Sequence, residues 1–439
     1  MKERSLTVTK DLISFIAKSP TAFHAVDSIV ELLEHDGFVC LNEADEWSLT
    51  PGAGYYVTRN RSSIIAFRIP SEAPQSFLIT ASHTDSPMFK LKEACESLGG
   101  KEYVRLNAEP YGGAIFSSWL DRPLTLAGRV ILNENRRFVS KNVSFDRDLF
   151  MIPNVAIHQN RKINSEMTFN AAKDLLPLFA LQGEQTVTVK SLVAKELSCE
   201  ESQIAAMDLY VVCNQKASLW GANNEFFSAP RIDNLMCAYG TLKGFLGAKP
   251  AEHSLNVYFA ADNEETGSCT KQGAGSVFLS DVLDRVCESL GCDKRRMLAS
   301  SMMVSADNAH AIHPNYPELS DIQNAPRING GVVIKGNAAQ KYTTDGLSAA
   351  LFKEICSCAE VPVQFYFNRS DMPGGSTLGS ISNTRVPLCT VDIGMPQFAM
   401  HSAYESAGTD DTEYLVRAMK EFYSVQLTSD GDGVYQLKR

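Results

Sequence analysis

The feature that most constrains the fold of this chain is an apolar run that stops at a cluster of acidic residues. Residues 257–261 read Val-Tyr-Phe-Ala-Ala, and Asp262, Asn263, Glu264 and Glu265 follow directly, before a Gly-Ser pair. In an open α/β sheet, a buried strand delivers polar groups in this way to its carboxyl edge, where ligands bind. An isolated acidic cluster is more often a solvated loop. The remainder of the chain therefore decides between these two interpretations.

Size and composition narrow the class of protein. A chain of 439 residues has room for about two to three domains. Hydrophobic residues make up 44% and charged residues 21%, which is typical of a globular protein. The formal net charge is −10, and the short basic clusters are diluted by acidic or polar residues. We therefore expect no nucleic-acid partner.

Cysteine usage and hydropathy bear on location. The chain has 11 cysteines and no C-x-x-C pair, which indicates reduced thiols of a cytoplasmic protein. Asp11 and Lys18 interrupt any apolar core of a signal peptide near the N-terminus. No run approaches the roughly 18 apolar residues that a membrane span needs, so we expect no membrane partner.

Hydrophobic periodicity predicts an α/β domain interrupted by a β-rich insertion. Two helices between Leu6 and Leu33, broken at Ser19-Pro20-Thr21, are expected to cover a sheet. From about Lys92 to Asn224 short alternating strands dominate. The α/β rhythm then returns and continues to a final helix. Four expectations can be checked directly: strands at residues 155–158 and 185–189, and helices at 174–181 and 411–426.

Chemistry-bearing side chains stand immediately after several predicted core strands. His83, Glu264 with Glu265, Asp307 and His401 occupy such positions, and Asp233 stands near a helix start. Because strand ends on one edge of a parallel sheet converge, these residues are expected to meet in space.

Imidazole and carboxylate ligands together suit Zn²⁺, Mn²⁺ or Co²⁺ in a hydrolytic site. Two such ions about 3.5–4 Å apart require a bridging carboxylate, and Asp233 fits that place. His83 with Glu265 would complete one ion site, and Asp307 with His401 the other. Glu264 is then left to carry protons. The chain has no H-E-x-x-H, Walker, G-x-G-x-x-G or G-x-S-x-G motif, which argues against zincins, P-loop enzymes, dinucleotide-binding proteins and serine hydrolases.

Five motifs in order resemble the aspartyl aminopeptidase family of dinuclear metallopeptidases, and the resemblance covers essentially the whole chain. The motifs are His83-Thr84-Asp85, residues 230–234 (Pro-Arg-Ile-Asp-Asn), residues 262–268 around Glu264-Glu265, residues 307–316 from Asp307 to Tyr316, and residues 399–402 around His401.

The resemblance implies the ligand set given above, with Asp85 orienting His83 and Glu264 acting as the base. It implies a mixed, mostly parallel sheet sandwiched by helices, formed by residues 1–91 and 225–439. Residues 92–224 would then be an inserted dimerisation domain. The expected protein is an aminopeptidase that acts on peptides with two divalent ions, and dimers are expected to build a tetrahedral shell of twelve subunits.

The resemblance also implies a substrate pocket. His158 matches a histidine that reaches into a neighbouring subunit's active site, and the other matching positions are His310, Lys335, Tyr342, Met372 and Gly374. Lys335 is either a surface lysine at a strand end or a cation. As a cation it would face an acidic first side chain of the peptide or a developing negative charge. The name of the family itself implies that acidic first residues, Asp or Glu, are candidate substrates.

Two alternatives remain open from the residues alone. A carboxypeptidase or amino-acid deacylase of the same architecture would need an arginine to anchor the substrate carboxylate, and Arg327 and Arg369 are the candidates. A non-catalytic assembly subunit would keep the fold without turnover. The presence of every expected ligand and of the base favours an enzyme.

Overall fold

The computed structural model describes residues 2–183, 187–372, 374–375 and 377–438. The helices are α1 (Lys2–Lys18), α2 (Ala22–His35), α3 (Ala171–Asp174), α4 (Val189–Glu196), α5 (Ile232–Gly247), α6 (Phe278–Leu290), α7 (Lys294–Leu298), α8 (Gly346–Cys358), α9 (Leu378–Ser382) and α10 (Asp411–Phe422). The strands are β1 (Val39–Cys40), β2 (Gly54–Arg59), β3 (Ser63–Arg68), β4 (Ser76–His83), β5 (Met88–Gly99), β6 (Tyr103–Tyr111), β7 (Leu124–Glu134), β8 (Arg137–Ser144), β9 (Leu178–Leu181), β10 (Ile204–Cys213), β11 (Ser218–Trp220), β12 (Phe226–Ala229), β13 (Ser254–Ala261), β14 (Met302–Ala306), β15 (Ala309–His310), β16 (Val332–Gly336), β17 (Val363–Phe367), β18 (Cys389–Gly394), β19 (Pro396–Phe398), β20 (Glu405–Gly408), β21 (Gln426–Gly431) and β22 (Val434–Lys438).

The main sheet has nine strands in the order β1-β2-β3-β13-β4-β14-β18-β16-β17. Most neighbouring pairs are parallel, including β13 with β4, β4 with β14 and β14 with β18. Strand β3 runs antiparallel to β13. This topology confirms the expected mixed, mostly parallel α/β sheet.

Helices cover both faces of this sheet, which explains why β13 reads as one continuous apolar run. Tyr258 and Ala260 pack on the face covered by α1, α2, α5, α8 and α10. Val257 and Phe259 point to the other face, against α6. The sheet is therefore buried on both sides, and polar groups on β13 can reach solvent only beyond its end.

A second sheet has six strands in the order β8-β7-β10-β5-β6-β9, all antiparallel, and it has its own apolar core. Its strands come from the β-rich stretch in the middle of the chain. The exact domain boundaries at residues 92 and 224 remain a prediction. A third, five-stranded sheet has the order β11-β12-β20-β19-β15.

Several local expectations were wrong within the β-rich stretch. The helix expected at residues 174–181 is instead the end of α3 followed by β9, which gains its backbone hydrogen bonds by pairing with β6 at the sheet edge. Residues 155–158 form no strand, because Gln159 and Asn160 both donate main-chain hydrogen bonds to Ala156 and make a turn.

The strand expected at residues 185–189 is also wrong where it can be described, since Gln185 and Thr186 lie outside the described residues. Thr188 caps helix α4, which begins at Val189. The Thr188 hydroxyl accepts from the Ser191 N–H, and the Ser191 hydroxyl accepts from the Thr188 N–H. This reciprocal capping outweighs the strand preference of the β-branched residues.

The final helix is shorter than expected: α10 ends at Phe422, and the chain continues into the hairpin β21–β22. In the part of the chain that the structure describes, no helix combines the length and the hydropathy needed to cross a membrane.

Candidate active site

The carboxyl ends of three neighbouring strands deliver the first group of candidate side chains. His83 is the last residue of β4 and pairs with Ala261, the last residue of β13. Strand β14, on the other side of β4, ends just before Asp307. The turn after β13 carries Glu264 and Glu265. Their convergence at one edge of the sheet is the arrangement expected from the sequence.

The two remaining candidate ligands arrive from other elements. Asp233 lies in the irregular first turn of α5 and is buried. His401 lies between β19 and β20, and its side chain is 31% exposed. These two residues complete a cluster whose other members sit on the main sheet.

Distances within the cluster place Asp233 at its centre. Asp233 Oδ1 lies 3.6 Å from His83 Nε2, and Asp233 Oδ2 lies 3.5 Å from His401 Nε2. Asp307 Oδ1 lies 3.5 Å from His83 Nε2, and Glu265 Oε2 lies 3.3 Å from His401 Nε2. Each oxygen of Asp233 therefore faces a different imidazole, as a bridging carboxylate requires.

The grouping of ligands differs from the one expected from the sequence. The structure joins His83 with Asp307, and His401 with Glu265, on the two sides of Asp233. His83 and Glu265, which the sequence paired, also share a group of possible ligands with Glu264, whereas Asp307 and His401 share none among the described residues. Strand order explains the close contact of His83 with Asp307: β4 and β14 are neighbours, so the residues at their ends lie side by side.

The donor set fits divalent metal ions. Ligand atoms of His83, Asp233 and Asp307, and those of Asp233, Glu265 and His401, lie within 4.8 Å of one another. Asp233 Oδ1 and Glu265 Oε1 are buried without a hydrogen-bond partner among the described residues. A buried carboxylate oxygen without a partner is costly, and a cation would satisfy both atoms.

The neighbouring carboxylates favour the protonated, positively charged forms of the two imidazoles. Burial alone would lower the pKa of His401, but its hydrogen bond to Asp233 and the charge of Glu265 raise it to about 10. His83 behaves alike: burial opposes its charge, yet hydrogen bonds to Asp307 and Asp85 raise its pKa well above the usual value. Since metal-binding imidazoles must be neutral, ions would displace these protons.

Asp85 supports the cluster from behind. His83 Nδ1 lies 3.1 Å from the Asp85 carbonyl oxygen and 3.4 Å from Oδ1. The carboxylate also accepts the main-chain N–H groups of Glu264 and Glu265, at 3.1 and 3.2 Å. Asp85 thus contacts the ring of one candidate ligand and the backbone of the glutamate pair.

Glu264 stands at the edge of the cluster: one of its carboxylate oxygens lies within 4.8 Å of ligand atoms of His83 and Glu265. Its carboxylate makes no hydrogen bond or ion pair in the described part of the chain, and it lines a cavity beside the cluster. Burial and the negative charges of Asp307, Asp85 and Asp233 raise the pKa of Glu264 to about 8, against the opposing charge of His83. The carboxylate is therefore available for proton transfer.

The cavity has a volume of about 200 Å³ and contains several of the predicted substrate contacts. His310, Lys335 and Tyr342 line it, together with Tyr366 and Thr377. Lys335 is 2% exposed and donates to the carbonyl oxygens of Asp307 and Asn308, at 2.6 and 3.2 Å. Its ammonium group also lies 3.6 Å from Asp307 Oδ2. Lys335 is thus a buried cation of the cavity floor and not a surface lysine.

Other predicted residues lie outside this cavity within the single chain. His158 is exposed on a turn of the β-rich stretch, and Met372 is 42% exposed. Gly374 packs near Asn337 and Asn368, where an added Cβ would meet Asn368 Oδ1 at 2.6 Å. Pro373 and Ser376 of the same loop lie outside the described residues.

The candidate arginine anchors of the deacylase alternative also lie elsewhere. Arg369 is paired with Asp371 on the surface at 2.7 Å, and Arg327 is exposed. Neither residue lines the cavity. The geometry therefore gives no support to a carboxylate anchor in this site.

Sequence reasoning missed Glu405, a buried carboxylate next to the cluster. Glu405 accepts the main-chain N–H groups of Asp233 and His401, at 2.9 and 2.7 Å, and the Gln397 side-chain amide at 3.2 Å. It therefore ties together the backbones of two candidate ligands. The rule that functional residues follow the ends of strands could not find Glu405, because this residue begins the short strand β20.

Comparison with known proteins relates the whole chain to one family. The model of the family described as aminopeptidase I zinc metalloprotease (M18) matches residues 15–423. A "Probable M18 family aminopeptidase 2" from Clostridium novyi (strain NT) is 42% identical over 433 residues, covering 96% of this chain and 100% of that protein. A protein of the same description from Pseudomonas paraeruginosa (strain DSM 24068 / PA7) is 40% identical, with coverage of 95% and 98%.

Solved structures agree with this relation. The cryo-EM structure of the Ape4 and Nbr1 complex matches with a TM-score of 0.92 and 36% identity, over 96% of this chain and 86% of that one. The crystal structure of prApe1 matches with a TM-score of 0.91 and 25% identity, over 96% of both chains. The S. cerevesiae mApe1 dodecamer matches with a TM-score of 0.84 and 25% identity, over 95% and 96%.

Proposed function

The chain belongs to the M18 family of zinc aminopeptidases, and from this premise we propose how its residues release the first residue of a peptide. The family makes it a metal-dependent aminopeptidase. The single observation that carries the proposed mechanism is the position of Asp233 between the two imidazoles, one facing each carboxylate oxygen.

We propose that the cluster holds two divalent ions, of which zinc is the first candidate because the family is one of zinc metalloproteases. Asp233 would bridge them, His83 and Asp307 would complete one site, and Glu265 and His401 the other. When bound, two such ions lower the pKa of a water molecule, polarise the scissile carbonyl and stabilise developing negative charge.

Glu264 moves the proton in this proposal. Its carboxylate faces the cavity without a competing partner among the described residues. It takes a proton from the attacking water and returns it to the leaving amine. Asp85 keeps His83 oriented by contacting the ring nitrogen that faces away from Asp233.

The cavity supports an acidic first residue as the preferred substrate. Its volume of about 200 Å³ admits one side chain of moderate size. Lys335 donates two of its three ammonium hydrogens to the carbonyl oxygens of Asp307 and Asn308. A third remains for a substrate carboxylate once the Asp307 side chain is engaged with an ion. The ammonium also lies 5.2 Å from the Tyr342 ring centroid, which holds it in place.

The proposal is tested with metal-free protein reloaded with Zn²⁺, Mn²⁺ or Co²⁺ and a panel of aminoacyl amides. Cleavage of Asp and Glu amides above all others is the expected result. A preference for neutral or basic residues would overturn the acidic specificity and leave the mechanism standing. Cleavage only of substrates with a blocked amino group would overturn the aminopeptidase mechanism in favour of a deacylase.

We further propose that the protein is a tetrahedral dodecamer of dimers in the cytoplasm. The mApe1 relative is described as a dodecamer, and the β-rich stretch exposes large apolar side chains, including Leu98, Tyr103, Phe138 and Leu181. Val155 lines a groove of about 840 Å³ in the same stretch. Sedimentation of the purified protein should give a twelve-subunit particle, and a monomer at all concentrations would overturn the proposal.

Within that assembly, His158 is proposed to contact the substrate in a neighbouring subunit. Its exposed turn lies outside the cavity of its own chain. His158→Ala should weaken hydrolysis and leave bound metal unchanged. Assemblies that mix His158→Ala with Glu264→Gln subunits should regain activity, because some sites then receive both intact residues. Mixed assemblies no more active than either parent would contradict the shared site.

A further inference from the structure

The end of strand β6 brings a residue of the antiparallel sheet against the candidate metal cluster. The Tyr111 hydroxyl donates to Asp85 Oδ2 at 2.7 Å and accepts from the Asn263 side-chain amide at 2.8 Å. Asn263 begins the turn that carries Glu264 and Glu265. The Tyr111 hydroxyl thus connects Asp85 to the turn that carries Glu264 and Glu265 by two hydrogen bonds.

The Tyr111 hydroxyl is one of several groups that hold the Asp85 carboxylate in place. Among its side-chain contacts, the Tyr111 hydroxyl at 2.7 Å is the shortest, against 3.1 and 3.2 Å for the Glu264 and Glu265 N–H groups and 3.4 Å for His83 Nδ1. Burial and the Asp85 carboxylate raise the pKa of Tyr111, so its hydroxyl keeps its proton and stays a donor.

The turn that follows Tyr111 contacts the other half of the cluster. The Gly113 carbonyl oxygen lies 3.0 Å from His401 Nδ1, and the Ile115 N–H donates to the His401 carbonyl oxygen at 2.9 Å. Gly112 has a φ of 72°, and a Cβ there would lie 3.0 Å from Glu265 Cβ. Both the positive φ and this close approach disfavour a larger residue at this position.

We propose that Tyr111 is a positioning residue for the metal cluster. Its hydroxyl fixes the Asp85 carboxylate, and Asp85 in turn fixes the position of the His83 ring relative to the turn that carries Glu264 and Glu265. The hydroxyl acts through Asp85 and touches neither substrate nor ion. This inference rests on the proposed metal site. It gives the antiparallel sheet a direct part in shaping that site, in addition to any role in assembly.

The test compares Tyr111→Phe with Tyr210→Phe. The two rings pack edge to face, 5.7 Å apart, and the Tyr210 hydroxyl makes no hydrogen bond in the part of the chain that the structure describes. Tyr210→Phe therefore controls for loss of a hydroxyl in the same aromatic cluster. Zinc retained against a competing chelator, kcat and KM are measured for each full-length variant, with the Tm as a check on folding.

Loss of an outer partner of a metal ligand typically costs about 10- to 100-fold in metal affinity or activity. Tyr111 lies one contact farther from the ligand than Asp85, so Tyr111→Phe should show a loss near the lower end of that range, about 10-fold, in zinc affinity or kcat, with KM little changed, and Tyr210→Phe should match the wild type. Equal zinc retention and equal kcat in both variants would overturn the inference. A wild-type protein that binds no metal would overturn the proposed function itself, so the two failures are distinguishable.

A second comparison tests whether Tyr111 acts through Asp85. In an Asp85→Ala background, adding Tyr111→Phe should cost little more, because the acceptor of the Tyr111 hydroxyl is already absent and the two changes are not additive. A full additional loss in zinc affinity from the second substitution would show that Tyr111 acts by another route.

Discussion

Replacing Glu264 by Gln separates proton transfer from metal binding within one turn of the chain. The change keeps the size of the side chain, and it breaks no contact, since the carboxylate has no partner among the described residues. Glu264 shares one group of possible ligands with His83 and Glu265, but the two groups that contain Asp233 remain complete without it. Bound metal should therefore stay at the wild-type level.

The expected loss is in kcat. A positioned general base contributes about 10²- to 10⁴-fold, which corresponds to roughly 2.7–5.5 kcal/mol on the activation barrier. The lower end applies if another carboxylate of the cluster can partly replace Glu264. Glu264 is half-buried, and this position favours the upper end, because few water molecules can take over proton transfer there.

The same residue sets the direction of the pH dependence. A general base acts only when deprotonated, so kcat/KM should fall as the pH decreases through the pKa of Glu264. Burial and the neighbouring carboxylates raise the pKa of Glu264 to about 8, and bound cations, which stabilise the charged carboxylate, should bring it below that value. The acid limb should be absent from the residual activity of the Gln variant.

Steady-state hydrolysis of an aminoacyl amide, with metal content measured on the same samples, provides the assay. Glu265→Gln is the matched control: the same change in the neighbouring residue should lower metal affinity, because Glu265 Oε2 lies 3.3 Å from His401 Nε2. If Glu264→Gln retained wild-type kcat, or lost metal as Glu265→Gln does, the assignment of the base would be refuted.

Three further outcomes are expected. Lys335→Met should lower the ratio of kcat/KM for acidic over neutral substrates by about 10- to 100-fold, the worth of a hydrogen bond to a charged group; an unchanged ratio would exclude Lys335 as the specificity cation. Glu405→Gln turns an amide N–H₂ toward main-chain donors and should weaken metal retention. The control is Asp411→Asn, which changes a buried carboxylate that accepts main-chain N–H groups away from the cluster and should lower only the Tm. Equal metal loss in the two variants would contradict the role of Glu405 in holding the candidate ligands. Burial raises the pKa of Asp262 to about 7 and that of Glu264 to about 8, so the folded metal-free protein holds protons that the unfolded chain releases. Its free energy of unfolding, measured by denaturant titration, should therefore decrease as the pH rises from about 5 to about 8, and a flat profile would contradict the shifts.

The sequence could predict the residues of the site because each follows a local pattern. His83, Glu264 and Asp307 come directly after buried apolar strands, and such strands are recognisable from composition alone. Their pairing was not predictable, because it depends on the order of strands in the sheet. Once β14 lies beside β4, Asp307 must stand next to His83.

Contacts between distant segments explain the remaining gaps. Glu405 reaches the Asp233 N–H across 172 residues of sequence, and Tyr111 reaches Asn263 across 152. No local pattern marks such residues. Strand β9 was mistaken for a helix for a related reason: its backbone is satisfied only by pairing with β6, which no short window of sequence contains.

The pairing of β4 with β13 has a consequence for synthesis on the ribosome. Thr84, just after β4, bonds to Ala261 at the end of β13, and 177 residues separate them. At roughly 5–20 residues per second, an emerging β4 waits on the order of 10–35 s for its partner strand. The antiparallel sheet is complete by Cys213 and can fold within that interval. Strands β3 and β4 are synthesised long before β13, which pairs with both of them, so their apolar side chains stay uncovered on that edge until β13 follows.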